Sequence, residues 1–89
     1  MYTSHARDRI RQRAIPELVV DLLMEVGDAA YDKHGAEIYY FGKKGKRRLA
    51  SRAGRRLARH LEGYLGCYAV VANGQVITCG YRTRHVRRS

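Results

Sequence analysis

Residues 65–81 read LGCYAVVANGQVITCGY and carry the strongest local folding signal in the chain. Two runs rich in β-branched and aromatic residues flank the dipeptide Asn73-Gly74. Asn-Gly suits the two positive-φ positions of a type I′ turn, whose twist matches that of paired strands. The stretch therefore predicts a β-hairpin with strands over 65–72 and 75–81.

The loop length of this hairpin predicts its register. With a two-residue loop, Val71 faces Val76, and each pair farther from the turn is one residue farther along both strands. Cys67 then faces Gly80. Cys67 and Cys79 would then point to opposite faces of the sheet, which disfavours a disulfide between them. Two cysteines without CxxC spacing also form neither a disulfide framework nor a metal-binding pair.

The segment before the hairpin reads as a strand followed by a basic helix. Residues 36–41 include Ile, two Tyr and Phe, which suit a pleated, partly buried strand. Residues 42–45 read as a basic turn. Residues 46–62 read as a helix in which Gly54 costs about 1 kcal/mol of helical propensity and allows a kink. One face of that helix carries Leu49, Ala53, Leu57 and Leu61, and the other carries Arg48, Arg52, Arg55, Arg56 and Arg59.

The N-terminal third of the chain predicts two helices. Residues 4–13 read as a short helix, with Thr3 or Ser4 as its N-cap. The second helix starts with Pro16 at its first helical position and stops at Gly27 in a left-handed cap. Its predicted buried stripe consists of Leu18, Val19, Leu22, Leu23 and Val26. Its other face is acidic, with Glu17, Asp21 and Glu25 at four-residue spacing.

These elements follow one another as helix, helix, strand, helix, strand, strand. The order predicts an α+β fold in which two N-terminal helices and a basic helix pack on a small, mostly antiparallel sheet that ends in a β-hairpin. A chain of 89 residues has room for one modest hydrophobic core. We therefore expect a single domain over 1–89, with 84–89 as a flexible tail.

Charge is distributed unevenly along the chain. Lys and Arg number 18 against 8 Asp and Glu, which gives a formal net charge of +10. Residues 38–61 contain nine basic and no acidic residues, whereas residues 16–37 contain six acidic residues and one Lys. Arg outnumbers Lys fourteen to four, and a guanidinium binds phosphate bidentately where an ammonium acts as a point charge. This composition favours a nucleic-acid partner.

Length and composition also exclude several classes of protein. The chain is too short for a multidomain enzyme. No apolar run approaches the roughly 18 residues that a membrane helix needs, and the first residues lack the apolar core of a signal peptide. We therefore expect a cytoplasmic protein without a membrane partner. The four histidines show no zinc-ligand spacing, so we expect no metal and no cofactor.

Both ends of the chain resemble the uncharacterised domain family DUF 4258. The closing segment 73–78, NGQVIT, is similar to that family's last hairpin, in which a Thr follows two apolar residues. The resemblance covers about the first 27 and the last 25 residues and does not include the Arg-rich middle. Near the N-terminus it rests on the signature residues Ser4, His5, Ala6, Arg9, Arg13 and Ile15 and on the leucine-rich helix after them.

This family is similar to the RelE and BrnT group of small ribonuclease toxins. The resemblance therefore implies a RelE/barnase-like fold, in which N-terminal helices pack on a curved antiparallel sheet. It also implies RNA binding, metal-independent RNA cleavage and an acidic antitoxin protein as inhibitor. The chain departs from the family at two positions: Ala14 stands where Gly is usual, and Pro16 stands where a Ser or Thr commonly caps the second helix.

Metal-independent RNA cleavage requires a base for the 2′-hydroxyl, a cation for the phosphorane and an acid for the leaving oxygen. His5, Arg9 and Arg13 share one helical stripe and offer half of such a site, because His titrates near neutral pH and Arg keeps its charge. The structural alternative is that Arg9 and Arg13 pair with the acidic face of the second helix. The other half of the site would come from Thr78, Tyr81 and Arg82, with Arg84 and His85 after them.

The basic middle segment and the tail form a second candidate site. A basic helix of this kind can lie along an RNA or DNA backbone, but it contains no Asn or Gln for reading bases. The expected phosphate-binding residues are Lys43, Lys44, Lys46, Arg48, Arg52, Arg55, Arg56, Arg59, Arg84, His85 and Arg87. Four tyrosines are candidates for stacking bases, with core packing the expected use of at least half: Tyr39, Tyr40, Tyr64 and Tyr68.

The sequence leaves several functions open. The first is a toxin-like endoribonuclease. It binds RNA, on ribosomes or elsewhere, cleaves it without a metal ion and is inhibited by an acidic protein. The alternative is a non-catalytic regulator that binds nucleic acid or protein, such as a phage or mobile-element protein. A basic amphipathic module at a membrane surface is the least favoured, because the basic helix has only modest hydrophobicity.

Overall fold

The structure is a computed structural model that describes residues 2–82. The strands form one antiparallel sheet in the order β1-β2-β3-β4. The predicted α+β class, the antiparallel sheet and the closing hairpin are confirmed, and the predicted tail over 84–89 lies outside the described residues. The elements are α1 (Ser4–Gln12), α2 (Glu17–Val26), β1 (Asp28–Tyr31), β2 (Glu37–Tyr40), α3 (Lys43–Ala53), α4 (Arg55–His60), a 3-10 turn (Glu62–Tyr64), β3 (Cys67–Ala72) and β4 (Gln75–Tyr81).

One face of the sheet carries the hydrophobic core. Alternate residues of β3 are buried, namely Cys67, Ala69 and Val71, and so are Val76 and Cys79 of β4. This alternation is expected of a strand with one face turned to the core. Helix α2 packs against the same face through buried residues that recur at helical spacing: Val19, Val20, Leu22, Leu23 and Val26. The prediction that Leu18 belongs to this stripe is wrong, because Leu18 is 47% exposed and Val20 is buried instead.

The opposite face of the sheet, called here the open face, carries half-buried side chains that lie outside the core. The β2–β3 register pairs Tyr40 with Tyr68 and Ile38 with Val70, so these four point to the same side. Thr78 of β4 pairs with Val70 and therefore points to the same side. None of the five belongs to the core or packs against it, whereas α1 and α2 both contribute residues to the core.

Helix α1 is anchored to the last strand of the sheet. The Thr3 hydroxyl, one of the two predicted caps, accepts a hydrogen bond from the backbone N–H of Ala6 (3.1 Å). The Thr3 N–H donates to the carbonyl of Val76 in β4 (3.0 Å). Ala6 is fully buried, and its small side chain lets α1 approach β4 closely. This contact covers β4, which is an edge strand.

The two ends of α2 differ from the sequence prediction. Pro16 is the N-cap residue, with extended backbone (φ −62°, ψ 141°), and the helix begins one residue later at Glu17. The predicted left-handed cap at Gly27 is wrong, because its φ of −68° and ψ of 165° lead the chain directly into β1. A side chain is excluded there for a different reason: a Cβ on Gly27 would lie 2.4 Å from the carbonyl oxygen of Leu23.

Strand β1 is absent from the sequence prediction. Its residues, Asp-Ala-Ala-Tyr, show no alternation of apolar and polar side chains, and three of the four are exposed. Antiparallel pairing with β2 over its whole length makes it a strand. Asp32 closes the turn between them by accepting hydrogen bonds from the N–H groups of His34 and Ala36, both at 2.8 Å. Both bonds lower the pKa of the Asp32 carboxyl, and the bond from Ala36 has the larger effect.

Helix α3 begins where the sequence predicts a turn. The helix already starts at Lys43, so the predicted basic turn over 42–45 is wrong. The cause is Asp28, whose Oδ2 accepts hydrogen bonds from the N–H groups of Gly42 (2.9 Å) and Gly45 (3.0 Å). These donors lie at the first turn of α3, where backbone N–H groups have no partner within the helix. A carboxylate distant in sequence therefore takes the place of a local cap.

The predicted basic helix over 46–62 is divided in two. Gly54 separates α3 from α4 with a φ of +87° and a ψ of 160°, which interrupts the helical hydrogen bonds. Residues before and after it remain helical, so the kink that the sequence allowed is a full break.

The turn of the closing hairpin is confirmed. Asn73 and Gly74 have φ values of 52° and 76°, as the two central residues of a type I′ turn require. Val71 faces Val76 across the turn, also as predicted.

Beyond this point the hairpin register departs from the prediction. A bulge adds Ile77 to β4, so every later pair shifts by one residue. Cys67 consequently faces Tyr81 instead of Gly80. Cys67 and Cys79 both lie on the buried face as free thiols, and the prediction that they point to opposite faces is wrong.

Candidate nucleic-acid interface

Exposed cations of α3 and α4 form a basic surface, called here the basic face and defined by Lys46, Arg55, Arg56 and Arg59. All four are among the predicted phosphate-binding residues. Their side chains are exposed, and none has an ion pair among residues 2–82. Lys43 and Lys44, in the first turn of α3, are exposed and unpaired in the same part of the chain.

Two adjoining hollows lie in the basic face. The larger, of about 640 Å³, is lined by Lys46, Arg55 and Arg59 together with small and apolar residues of α3 and α4, and Glu62 also borders it. Charge-assisted hydrogen bonds from several cations to one anion suit the binding of a phosphate. The smaller, of about 570 Å³, is lined by basic side chains: Arg55, Arg56, Arg59 and His60.

Two other predicted phosphate-binding residues serve the fold. The Arg48 Nε donates to the carbonyl of Val26 (2.8 Å), and its Nη2 lies 2.9 Å from the Asp28 Oδ1. The Arg52 Nε lies 3.0 Å from the Glu25 Oε1, with both side chains at least half exposed. Glu25 of α2 and Asp28 of β1 therefore neutralise part of the charge of α3. Arg48 is the less available of the two for an external anion, because it also binds backbone.

The predicted stripe on α1 lies at the surface. The Arg9 Nε donates a hydrogen bond to the His5 Nε2 (3.4 Å). The ion pairs of the structural alternative are not formed, since within residues 2–82 neither Arg9 nor Arg13 pairs with α2. A weak pair within α1 joins Arg11 to Asp8 at 3.8 Å.

The remaining predicted catalytic residues lie on different sides of the sheet. Thr78 is on the open face, whereas Tyr81 lies on the core side opposite Cys67, where burial raises the pKa of the Tyr81 hydroxyl. Arg82 extends over Tyr40, with its Cζ 5.4 Å from the ring centre. Among the residues described, no hydrogen bond joins Thr78, Tyr81 or Arg82 to the α1 stripe. The composite catalytic site stays a prediction.

Some expectations concern the ends of the chain or features of the whole molecule. Arg84, His85 and Arg87 lie outside the described residues, so their phosphate-binding role stays a prediction. Across residues 2–82, no helix combines the length and apolar character needed to cross a membrane. Within the same range, no group of three or more His, Cys, Asp or Glu side chains could hold a metal ion.

Two residues that shape this interface were missed by sequence analysis. Arg47 lies in the same basic run, is exposed, and has no ion pair in the described part of the chain, so counting charges was enough to find it. No comparable feature of the sequence indicates the role of Asp28. It binds the start of a helix 14 residues away from it, and no local pattern reports that contact.

Comparison with protein-family models, with curated proteins and with solved structures finds no match to this chain. The resemblance to DUF 4258 and to the RelE and BrnT group stays a prediction.

Proposed function

We propose that this protein binds RNA through the basic face. The observation that supports the proposal is the grouping of Lys46, Arg55, Arg56 and Arg59 around two adjoining hollows, with no paired carboxylate among residues 2–82. Like charges held this close repel one another, and bound phosphates relieve that repulsion. An RNA backbone supplies one phosphate per nucleotide.

The internal ion pairs show where the excess charge remains. Arg48 and Arg52 are balanced by Asp28 and Glu25, so the unbalanced cations lie on α4 and at the exposed positions of α3. Neither helix contains Asn or Gln, the side chains that most often read adenine. Contacts at the basic face are therefore made mainly to phosphates, with little dependence on base sequence.

The test is the salt dependence of binding to a fluorescently labelled single-stranded RNA, measured by anisotropy. Each contact to a single-strand phosphate contributes about 0.7 to the slope of log affinity against log salt, so Arg55→Gln/Arg59→Gln should reduce that slope by about 1.4. The matched control is Arg7→Gln/Arg11→Gln, which removes the same charge from α1 and should leave the slope unchanged. No binding at about 50 mM salt, or equal slopes for the two double variants, would contradict the proposal.

Metal-independent cleavage of the bound RNA is a second candidate function, favoured by the contact between Arg9 and His5. Once released from its hydrogen bond with Arg9, His5 would take the proton of a 2′-hydroxyl, and the Arg9 guanidinium beside it would balance charge on the phosphorane. The 2′-oxygen then bonds to phosphorus while the bond to the 5′-oxygen breaks. This leaves a 2′,3′-cyclic phosphate and, after proton transfer from an acid or water, a 5′-hydroxyl.

Cleavage is tested separately from binding. Wild-type protein with a labelled RNA in excess chelator should release fragments that end in 2′,3′-cyclic phosphate, and His5→Ala should abolish them. His34→Ala, which alters an exposed histidine in a turn, is the matched control and should cleave like the wild type. RNA that binds yet stays intact would exclude cleavage and identify the protein as a non-catalytic regulator.

The basic face also accounts for the other partners in this proposal. An acidic inhibitor protein of the antitoxin kind would compete with RNA, or with a ribosomal RNA surface, for the same cations. The proposed compartment is the cytoplasm, where RNA is present and where two free thiols stay reduced.

A further inference from the structure

We propose that the open face of the sheet is a stacking platform for the unpaired bases of single-stranded RNA, formed by Tyr40, Tyr68 and Arg82. The inference rests on the proposed RNA binding and adds to it the form of RNA that is bound. The basic face would hold phosphates, and the platform would select strands whose bases are free.

The two tyrosines occupy adjacent, directly paired positions. Tyr40 of β2 faces Tyr68 of β3, with Ile38 and Val70 beside them. All four are partly accessible, and none packs against the core, unlike Tyr39 and Tyr64. Directly opposed residues have Cβ atoms about 5 Å apart, so the two rings are placed to take two successive bases of an extended strand.

A glycine on the neighbouring strand makes room for one of these rings. Gly80 of β4 pairs with Tyr68, and a Cβ on Gly80 would lie 3.3 Å from the Tyr68 Cε1 and Oη. The ring therefore occupies the space that a side chain at this position would fill. Tyr68 is only partly buried, so part of its ring remains accessible for a base to stack on.

Arg82 extends this surface and provides its positive charge. Its Cζ lies 5.4 Å from the centre of the Tyr40 ring, and its Nη2 donates to the carbonyl of Phe41 at 3.4 Å. A guanidinium over an aromatic ring gains cation–π energy and presents a planar cation on which a base can also stack. The platform thus combines two rings with one cation.

The charge around the open face favours a nucleic acid over an acidic or apolar protein segment. Among residues 2–82, the one acidic residue on this face is Asp28, and its carboxylate is occupied by two backbone N–H groups and by Arg48. Lys43 and Lys44 follow within four residues of Tyr40 and are exposed. As far as the structure describes the chain, this face has aromatic rings, cations and no free carboxylate, which matches stacked bases flanked by phosphates.

The test compares tyrosine variants on a short labelled single-stranded RNA. Tyr68→Leu and Tyr40→Leu should each weaken binding about tenfold, because one base stack is lost, and should leave the salt slope unchanged. Tyr68→Phe keeps the ring and should bind like the wild type. The matched control is Tyr31→Leu, which removes a tyrosine that is 74% exposed on the edge strand β1 and should have no effect. Duplex RNA of the same length should be insensitive to all four changes.

A measurement on the wild-type protein tests the platform without depending on whether the variants fold. On addition of single-stranded RNA, the ring-proton resonances of Tyr40 and Tyr68 should move upfield through stacking, while those of Tyr31 stay in place. Unmoved Tyr40 and Tyr68 resonances at saturation overturn the platform.

The outcomes separate the two proposals. Binding that depends on Arg55 and Arg59 but not on Tyr40 and Tyr68 rejects the platform alone, and the reverse pattern rejects the basic face alone. Absence of any RNA binding rejects both. If Tyr68→Leu leaves RNA affinity intact but turns a dimer into a monomer by light scattering, the open face is an interface between copies of the chain, and the platform is rejected.

Discussion

A single carboxylate joins three parts of the fold. The Asp28 Oδ2 accepts the N–H groups of Gly42 and Gly45 at the start of α3, and its Oδ1 pairs with Arg48. The first turn of α3 contains two lysines and no acid, an unfavourable composition near the positive end of a helix dipole. Asp28 supplies the missing negative charge from β1. It therefore stabilises the helix that presents the basic face.

Asp28→Ala should lower the free energy of unfolding by about 2 to 3 kcal/mol, because it leaves two helix N–H groups and Arg48 without their partner. Urea denaturation followed by circular dichroism measures the change. Asp8→Ala is the matched control: Asp8 has only a weak, exposed pair with Arg11, and its loss should cost no more than about 0.5 kcal/mol. Equal costs for the two variants would show that Asp28 has no capping role.

The buried thiol of Cys67 should be unreactive in the native protein. Burial raises its pKa from 9.0 to about 11, although a hydrogen bond with Tyr81 acts in the opposite direction. A raised pKa means less thiolate, so at pH 8 only about one thiol in a thousand is ionised, and the thiolate is the reactive form. Burial also raises the pKa of Cys79.

Ellman's reagent measures the reactivity of these thiols directly. At pH 8 the native protein should react at least about 100-fold more slowly than a free thiol, and both cysteines should react at once in guanidinium. Rapid reaction of the native protein would mean that the core around β3 and β4 opens readily.

At the scale of elements, the break between α3 and α4 shapes the basic face. Gly54 turns the chain with a φ of +87°, and the larger hollow takes its lining from both sides of this break. A continuous helix would place these cations along one rod. The break brings Lys46 of α3 and Arg59 of α4 to the same hollow.

Gly54→Ala should destabilise the protein by about 1 to 2 kcal/mol, because an alanine is strained at this positive φ. Crowding is not the cause, since a Cβ at Gly54 would meet no atom within 4 Å. Gly63→Ala is the matched control: its Cβ also meets no atom within 4 Å, but its φ is not positive, so the change should stay within about 0.5 kcal/mol. Thermal denaturation gives both values, and a neutral Gly54→Ala would show that the break is not enforced by backbone conformation.

At the scale of the whole molecule, the charges are partly segregated. The chain carries a net charge of +10, with acidic residues concentrated on α2 and near its end. Within residues 2–82, several cations of α3 and α4 have no ion pair. The three ion pairs of the described residues are exposed or partly exposed, and such pairs contribute little to stability. Self-repulsion among the unpaired cations is therefore expected to outweigh them.

Raising the salt concentration from about 20 to 300 mM should consequently raise the unfolding midpoint by a few degrees, since salt screens exposed charges within about a Debye length. Differential scanning calorimetry in NaCl checks this. Single-stranded RNA at low salt should raise the midpoint further by binding only the folded state. A midpoint that falls with salt would mean that the ion pairs of Arg48 and Arg52 dominate over repulsion.

Much of the fold could be predicted from local patterns, and the errors share one cause. The Asn73-Gly74 turn and the buried stripe of α2 depend on residues adjacent in sequence or one helical turn apart. The turn was correct, and so was the stripe except that Leu18 is exposed and Val20 is buried. The bulge at Ile77 and the strand β1 depend on partner strands, which no local pattern reveals. The exposed cations of the basic face were predicted because charge density is a property of the sequence itself.

The sequence by itself determined the α+β class, the positions of the main helices and strands, and an excess of positive charge in the middle of the chain, because these follow from composition and short-range periodicity. Only the tertiary structure decided how that charge is used. Arg52 pairs with Glu25 of α2 and Arg48 with Asp28 of β1, whereas Arg55 and Arg59 have no ion pair among residues 2–82. Strand pairing likewise decided which tyrosines lie on the open face, since a register shift of one residue turns a side chain to the other side of a sheet.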